Sequence, residues 1–165
     1  MDGLFSSSGT VASLHIHSSK GGEPLLSVEQ INLQEGKGIL EDRRYFARTS
    51  RRTGNPSRRQ MSLIEREQIA EHAATLGLET IPPGAVRSNI ETTGIDLQAL
   101  VGQEVKIGEA IVRFYEPRTP CAKMDALCQG LRELMENGRQ GVMAEVVRSG
   151  VVRVGDCIHL VHRLA

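Results

Sequence analysis

The sequence predicts a mostly-β chain of the α+β class: an antiparallel β-barrel or strongly curled sheet with peripheral helices. Three observations predict it. Short stretches of apolar/polar alternation recur along the chain, separated by glycine-rich turns. Helical apolar spacing is confined to two longer stretches and one short turn. Strands and helices do not alternate in a βαβ rhythm, and no internal repeat or phosphate-loop glycine fingerprint is present.

The elements follow in order. Residues 1–9 are small and polar and read as a disordered N-terminus ahead of one domain spanning 10–165. Thr10 to His17 alternates, with Leu14 and Ile16 on one face and His15 and His17 on the other, and Lys20-Gly21-Gly22-Glu23-Pro24 ends that strand. Val28 to Leu33 is a second strand, and Gly36-Lys37-Gly38 opens a loop. Gln60 to Ile64 suits a short buried strand. Ser62 and Glu65 have capping-box spacing, and Ile69, Ala73 and Leu76 recur before Gly77, so a helix is expected near 64–76.

In the second half, Val86 to Ile90 reads as a strand closed by Thr93-Gly94, and Asp96 to Leu100 as one helical turn. Gly108-Glu109 joins the strands Glu104–Ile107 and Ala110–Tyr115 in a tight hairpin. Met124, Leu127, Leu131, Leu134 and Met135 predict a helix just after Cys121, with Asn137-Gly138 as its C-cap. Val142–Val147 and Val151–Arg153 read as a second hairpin, and Cys157–His162 as the last strand.

Bulk properties narrow the function classes. The 20 Lys and Arg balance the 20 Asp and Glu, so no global field points to nucleic acid or membrane. The absence of Trp and the low aromatic content weigh against base-stacking surfaces. No apolar run approaches the roughly 20 residues needed to span a bilayer, and no secretory leader is legible at the N-terminus. Three cysteines at irregular spacing match neither a zinc frame nor a disulfide frame, which suits a reducing, cytoplasmic location.

Chemistry concentrates at Arg118-Thr119-Pro120-Cys121, with Lys123 just beyond. Proline fixes the path of the chain as it leaves a strand. A thiol near a helix N-terminus and beside cations has the features that favour thiolate, the form that attacks, carries sulfur or binds metal. The competing reading is a small apolar plug at a strand end. Cys128, on the apolar helix stripe, and Cys157, in an alternating strand, read as packing residues.

Arg43, Arg44, Arg48, Arg51, Arg52, Arg58 and Arg59 fall within residues 43–59 with no carboxylate between them. This is a mobile basic loop, read either as solvated charge or as an anion clamp whose guanidinium groups match phosphate. Arg87 and Asn89 stand two apart on the same strand face, as surface decoration or as a ligand-facing pair. Asp42 is placed to orient Arg43. Asp156 reads as a turn residue, and His15 and His17 lack the further ligands a metal site requires.

Taken in order, these pieces resemble the MOSC domain, the module named for the C-terminus of molybdenum cofactor sulfurase. The resemblance is carried by Gly38-Ile39-Leu40-Glu41-Asp42-Arg43, Arg59 to Ile64, Pro83 to Gly94, Leu100-Val101-Gly102-Gln103 and Ile107-Gly108. It continues through Arg118-Thr119-Pro120-Cys121, Arg139-Gln140-Gly141-Val142-Met143-Ala144 and Gly150 to Asp156, covering about residues 10 to 161.

The resemblance implies a β-barrel of the MOSC type with Cys121 at its functional centre. By analogy with the amidoxime-reducing relatives, Cys121 would ligate molybdenum in a pterin cofactor (molybdopterin). Arg43, Arg44, Arg87 and Asn89 would hold the cofactor's phosphate and pterin, and Arg118 and Lys123 would line the mouth. The implied reaction is reduction of a small N-hydroxylated substrate, with electrons from a separate donor protein because no flavin or iron–sulfur signature is present. Two other classes remain open: a sulfur carrier using a Cys121 persulfide supplied by a sulfur-donor protein, and a non-enzymatic anion- or pterin-binding module. A monomer or a homodimer is expected, with no membrane or nucleic-acid partner.

Overall fold

Period-2 burial organises the molecule around one barrel interior. The computed structural model describes residues 8–161. Its strands are β1 (Ser8–Ile16), β2 (Leu26–Val28), β3 (Gln30–Gln34), β4 (Gly38–Ile39), β5 (Met61–Glu65), β6 (Ile90–Thr93), β7 (Glu104–Ile107), β8 (Ala110–Pro117), β9 (Val142–Arg148), β10 (Gly150–Arg153) and β11 (Cys157–Leu160). The helices are α1 (Arg66–Thr75), α2 (Ala122–Leu127) and α3 (Leu131–Leu134), with a 3-10 turn at Gln98–Leu100. None is long and apolar enough to cross a membrane.

Seven strands close the barrel in the order β11-β7-β8-β9-β5-β6-β1, and pairing of β1 with β11 completes the circle. One edge of β1 is shared. Its first residues pair with β11 and its last three with β2, while β6 runs along the other edge. A separate sheet, β10-β3-β4, covers one side. Val105 and Ile107, Val112 and Phe114, and Val142 and Ala144 alternate inward, as a half-buried sheet requires. With Leu14, Leu63, Ile90, Ile31 and Val152 they form one buried cluster. A second cluster lies outside the barrel wall, where Ile69 and Ala73 of α1 meet Met124, Leu131 and Met135.

The expected antiparallel barrel is the observed fold, with one exception in its wall. β5 and β6 are parallel, and α1 is their crossover, so a single βαβ unit exists where the sequence showed no such rhythm. The strand expected at 86–90 is displaced to Ile90–Thr93, because Pro83 to Val86 form a turn and Arg87 takes φ +65°. Arg87 and Asn89 therefore do not share a strand face.

The expected hairpin after Val147 is not formed. β10 leaves β9 and pairs with β3 instead, with Gly150 packed so tightly on Glu109 that a Cβ has no room. The helix after Cys121 breaks in two, since Cys128 is extended and Gly130 is left-handed. Cys128 is accordingly only half-buried, and Cys157 is exposed rather than packed. Glu65 caps α1 without a side-chain bond, and Ser62 belongs to β5, so no capping box forms.

Strand β1 begins at Ser8, ahead of the expected Thr10; the remainder of the stretch expected to be disordered, 1–7, lies outside the described residues. The arginine-rich stretch closes on itself through a Thr49–Pro56 bridge and the bonds Ser50 N to Asn55 O and Ser57 N to Arg48 O.

Candidate functional site

The site is built around a buried carboxylate. Asp42 follows β4 and is fully enclosed. Its Oδ2 accepts from the His17 amide (3.0 Å), from His17 Nδ1 (2.8 Å) and from Asn89 Nδ2 (3.1 Å). Its Oδ1 accepts from the amides of Arg44 (3.1 Å) and Tyr45 (3.0 Å). Burial alone would raise the Asp42 pKa, but the His17 bonds and charge, with the Tyr45 amide, together hold it below the ordinary value. One side chain thus ties the end of β1, the chain after β4 and the approach to β6 into a single point. Asp42 does not orient Arg43, as the sequence suggested; Arg43 is exposed.

Asn89 is spent on this framework. Its Nδ2 also donates to the His15 carbonyl (3.0 Å), and its Oδ1 accepts from the Ser62 amide (3.1 Å). Both amide hydrogens are committed, so Asn89 shapes the site wall rather than offering a free donor. Behind it, His15 and Glu91 are both buried, Glu91 binding Arg66 Nη1 at 2.7 Å and the Gly84 amide at 2.7 Å. Burial lowers the His15 pKa, opposed by Glu91, which suits a neutral ring bonded to Ser13 Oγ at 2.8 Å.

Two adjoining cavities open above this framework. The inner one is narrow and is lined by His17, Tyr45, Arg59, Ser62, Arg87 and Arg118 among others. The outer one, about 260 Å³, is lined by Arg59, Tyr115, Arg118, Thr119, Cys121 and Gln140 among others. Arg59, Arg118 and Met143 belong to both, so the two form one cleft.

Three arginines therefore converge here: Arg59 before β5, Arg87 before β6, and Arg118 after β8. Among the described residues, none of the three has a carboxylate within ion-pair distance. Arg118 donates to Ser88 Oγ at 2.9 Å, and Arg87 to the Glu23 carbonyl at 2.9 Å. Arg59 stacks on the Tyr45 ring at 5.1 Å. Burial, then repulsion from Arg59, pushes Arg118 down to about 10, which still leaves it charged near neutral pH. Glu116 also lines the outer cavity but ion-pairs with none of the three, so the arginines outnumber the one carboxylate and favour anions in the cleft.

Cys121 sits at the outer end as the N-cap residue of α2, exposed and making no side-chain cap bond. Arg118, Arg87 and Cys121 thus meet in the cleft as three of the residues singled out in the sequence. Lys123 is exposed on α2, and neither it nor Arg43 lines either cavity. Arg44 turns to the Tyr45 hydroxyl, its Nε donating at 3.2 Å. Sequence reasoning has Arg59, Ser62 and Gln140 within the motifs that carry the family resemblance and His17 only as a rejected metal ligand, and it gives none of them, nor Tyr45, a place in the site. The Arg59-Gln60-Met61-Ser62 motif, with its charge just ahead of a buried strand, was the available signal. His/Cys/Asp/Glu clusters able to hold a metal ion by themselves are absent among the described residues.

Comparison with known proteins places the fold. The YuaD protein of Bacillus subtilis superposes with a TM-score of 0.79 at 20% identity, covering 95% of this chain and 98% of that one. YiiM from Geobacillus stearothermophilus gives 0.70 at 19% identity, covering 94% of this chain and 76% of that one. YiiM from Escherichia coli gives 0.64 at 19% identity, covering 98% and 72%. At these identities the likeness is one of fold. No curated protein is similar enough in sequence to count as a match. The model of the MOSC domain matches residues 40–159, from the Asp42 segment through Cys121 to the last strand, and the chain belongs to the MOSC domain family.

Proposed function

We propose that the chain is a molybdenum-cofactor-binding oxidoreductase that reduces small N-hydroxylated compounds, with the Cys121 thiolate as the metal's protein ligand. The observation that carries this reading is the shared cleft: an exposed cysteine in its outer part, and three arginines without carboxylate partners, of which Arg59 and Arg118 line both parts and Arg87 the inner one. A pterin cofactor that bears a phosphate and holds a soft metal needs those two features, an anion seat and a sulfur donor.

Arg59, Arg87 and Arg118 would hold the phosphate, and Asp42 and Asn89 keep the wall rigid behind it. Tyr45 fixes Arg59 through ring stacking, and Ser88 fixes Arg118 through its hydroxyl. Pro120 and the α2 N-terminus set the direction of Cys121. When bound, the cofactor would supply the two-electron redox chemistry. The balance is N–OH plus two electrons and two protons giving N–H and water. The electrons come from a separate donor protein.

The test is the native intact mass of protein purified anaerobically from a host that makes molybdenum cofactor. The expected result is a cofactor-sized adduct that disappears in Cys121→Ser while the folded charge distribution is kept. A mass gain of one sulfur atom, again lost in Cys121→Ser, would replace this reading with that of a sulfur carrier. A cofactor adduct unchanged in Cys121→Ser would overturn the role of the thiol.

A further inference from the structure

Three buried side-chain polar atoms among the described residues have no hydrogen-bond partner, and two of them are Nε2 and Oε1 of Gln140. The third, Gln68 Oε1, is on α1 and lines neither part of the cleft. Gln140 is fully buried and is one of the residues that line the outer cavity, with Cys121, Arg118 and Tyr115. Buried amides are nearly always satisfied, so one whose donor and acceptor are both idle calls for a partner from outside the chain.

Local structure keeps the amide there. His72 Nε2 bonds the Arg139 carbonyl at 2.9 Å on one side. On the other, Gly141 has φ +77° and lies so close to β5 that a Cβ would meet Ile64 Cα at 2.8 Å. The Gly141 carbonyl accepts from the Arg118 amide at 2.9 Å and from Gln98 Nε2 at 2.8 Å. The backbone on both sides is anchored while the side chain between is not. Its terminal torsion is soft, so the amide can turn either edge to a partner, and meeting one in the cavity requires the side chain to swing out of its present burial.

We propose that the Gln140 amide orients the substrate, pairing with a ligand edge that offers a hydrogen-bond donor and acceptor side by side, as the C(NH2)=N–OH edge of an amidoxime does. The substrate class rests on the oxidoreductase reading; the contact itself rests on the orphaned amide. Gln140 donates through Nε2 to the ligand's acceptor and accepts through Oε1 from its amine. Oximes, which lack that amine, lose half of the pairing.

The test uses the full chain, titrated calorimetrically with benzamidoxime and with benzaldoxime, in the parent, in Gln140→Met and in Gln140→Glu. The parent should prefer benzamidoxime by about tenfold, the worth of one added hydrogen bond in a shielded site. Gln140→Met, similar in shape but apolar, should reduce that preference to about twofold or less while its Tm stays equal or rises, because an unsatisfied amide is removed. Gln140→Glu keeps the size but offers no amide donor, and should lose the preference as well.

A parent that binds neither probe, or both equally, overturns the proposal. So does a Gln140→Met protein that keeps the preference, or one that loses Tm with the preference unchanged, the mark of a purely structural amide. A parent with the preference but with no Cys121-dependent cofactor adduct would remove the oxidoreductase reading and leave the Gln140 contact standing.

Discussion

Replacing Asp42 by Asn removes little volume but one of two acceptor oxygens, and the geometry sets the cost. The five bonds divide between the oxygens, three on Oδ2 and two on Oδ1. An asparagine must aim its NH2 at one of these groups. The less costly orientation keeps the carbonyl oxygen on the His17 and Asn89 side and turns the NH2 towards the amides of Arg44 and Tyr45. Two backbone donors are then left without an acceptor, at roughly 1–3 kcal/mol each. The reversed orientation strands three donors. A loss of about 2–6 kcal/mol is therefore expected in urea unfolding at pH 7, read as a lower midpoint at unchanged slope. The pH dependence gives a second check. The Asp42 pKa is lowered in the folded state, so its contribution is fully present above the ordinary value of 3.8 and is lost as pH falls through the folded value. The gap between parent and variant should thus narrow only in strong acid. A loss below about 1 kcal/mol at pH 7 would refute the hub, since it would mean that the Arg44 and Tyr45 amides find other acceptors without the second oxygen of Asp42.

Two further predictions concern stability. Gly141→Ala should be far worse than Gly102→Ala, although both glycines have positive φ, because open space surrounds Gly102 whereas a Cβ at 141 collides with the Leu63 and Ile64 backbone. Gly102→Ala should cost about 1–2 kcal/mol in denaturant titration, and Gly141→Ala at least twice that or no soluble protein; equal costs would show that the β5 contact is loose. Glu65→Gln should raise Tm by a few degrees at pH 8. Burial first, then Asp96, pushes the Glu65 carboxyl up to about 7, so its ionisation opposes folding as pH rises through that value and has no effect below about 4.5. Thermal scans from pH 4 to 8 would contradict this if the variant's advantage grew towards acid.

The barrel was legible because it rests on short-range pattern. Val105/Ile107, Val112/Phe114 and Val142/Ala144 announce their inward faces by alternation alone. What escaped was decided by partners far away in sequence. β10 follows β9 with hairpin-like spacing, yet β3, over a hundred residues upstream, takes its edge. Arg87 reads as a strand residue between Val86 and Ile90, but Pro83-Gly84 and a positive φ turn the chain before β6 begins. Periodicity joins Met124 to Met135 as one helix and marks Met124, Leu131 and Met135 as buried, but Leu127 is exposed and Leu134 only half-buried. It could not register the left-handed Gly130 that breaks the helix while keeping Met124, Leu131 and Met135 together.

The cleft obeys the same division. Cys121 and Arg118 could be named from sequence because they are adjacent to a proline and a strand end. Arg59 and Gln140 stand in motifs of the sequence without a role, because each gains one only from what is missing around it in space. Arg59 lacks a carboxylate, although Arg58, one residue earlier, has Glu145 at 2.6 Å. Gln140 lacks any partner, although Gln60 on the neighbouring strand approach bonds the Ser57 carbonyl and the Val146 amide. In each pair the framework satisfies one member and leaves the other idle, and both idle members face the cleft that holds Cys121. Stability alone would select against the unsatisfied buried amide of Gln140, and the same cavity adds the exposed Arg59, which keeps no carboxylate partner. Their coincidence is accounted for if a ligand, rather than the chain, completes the site.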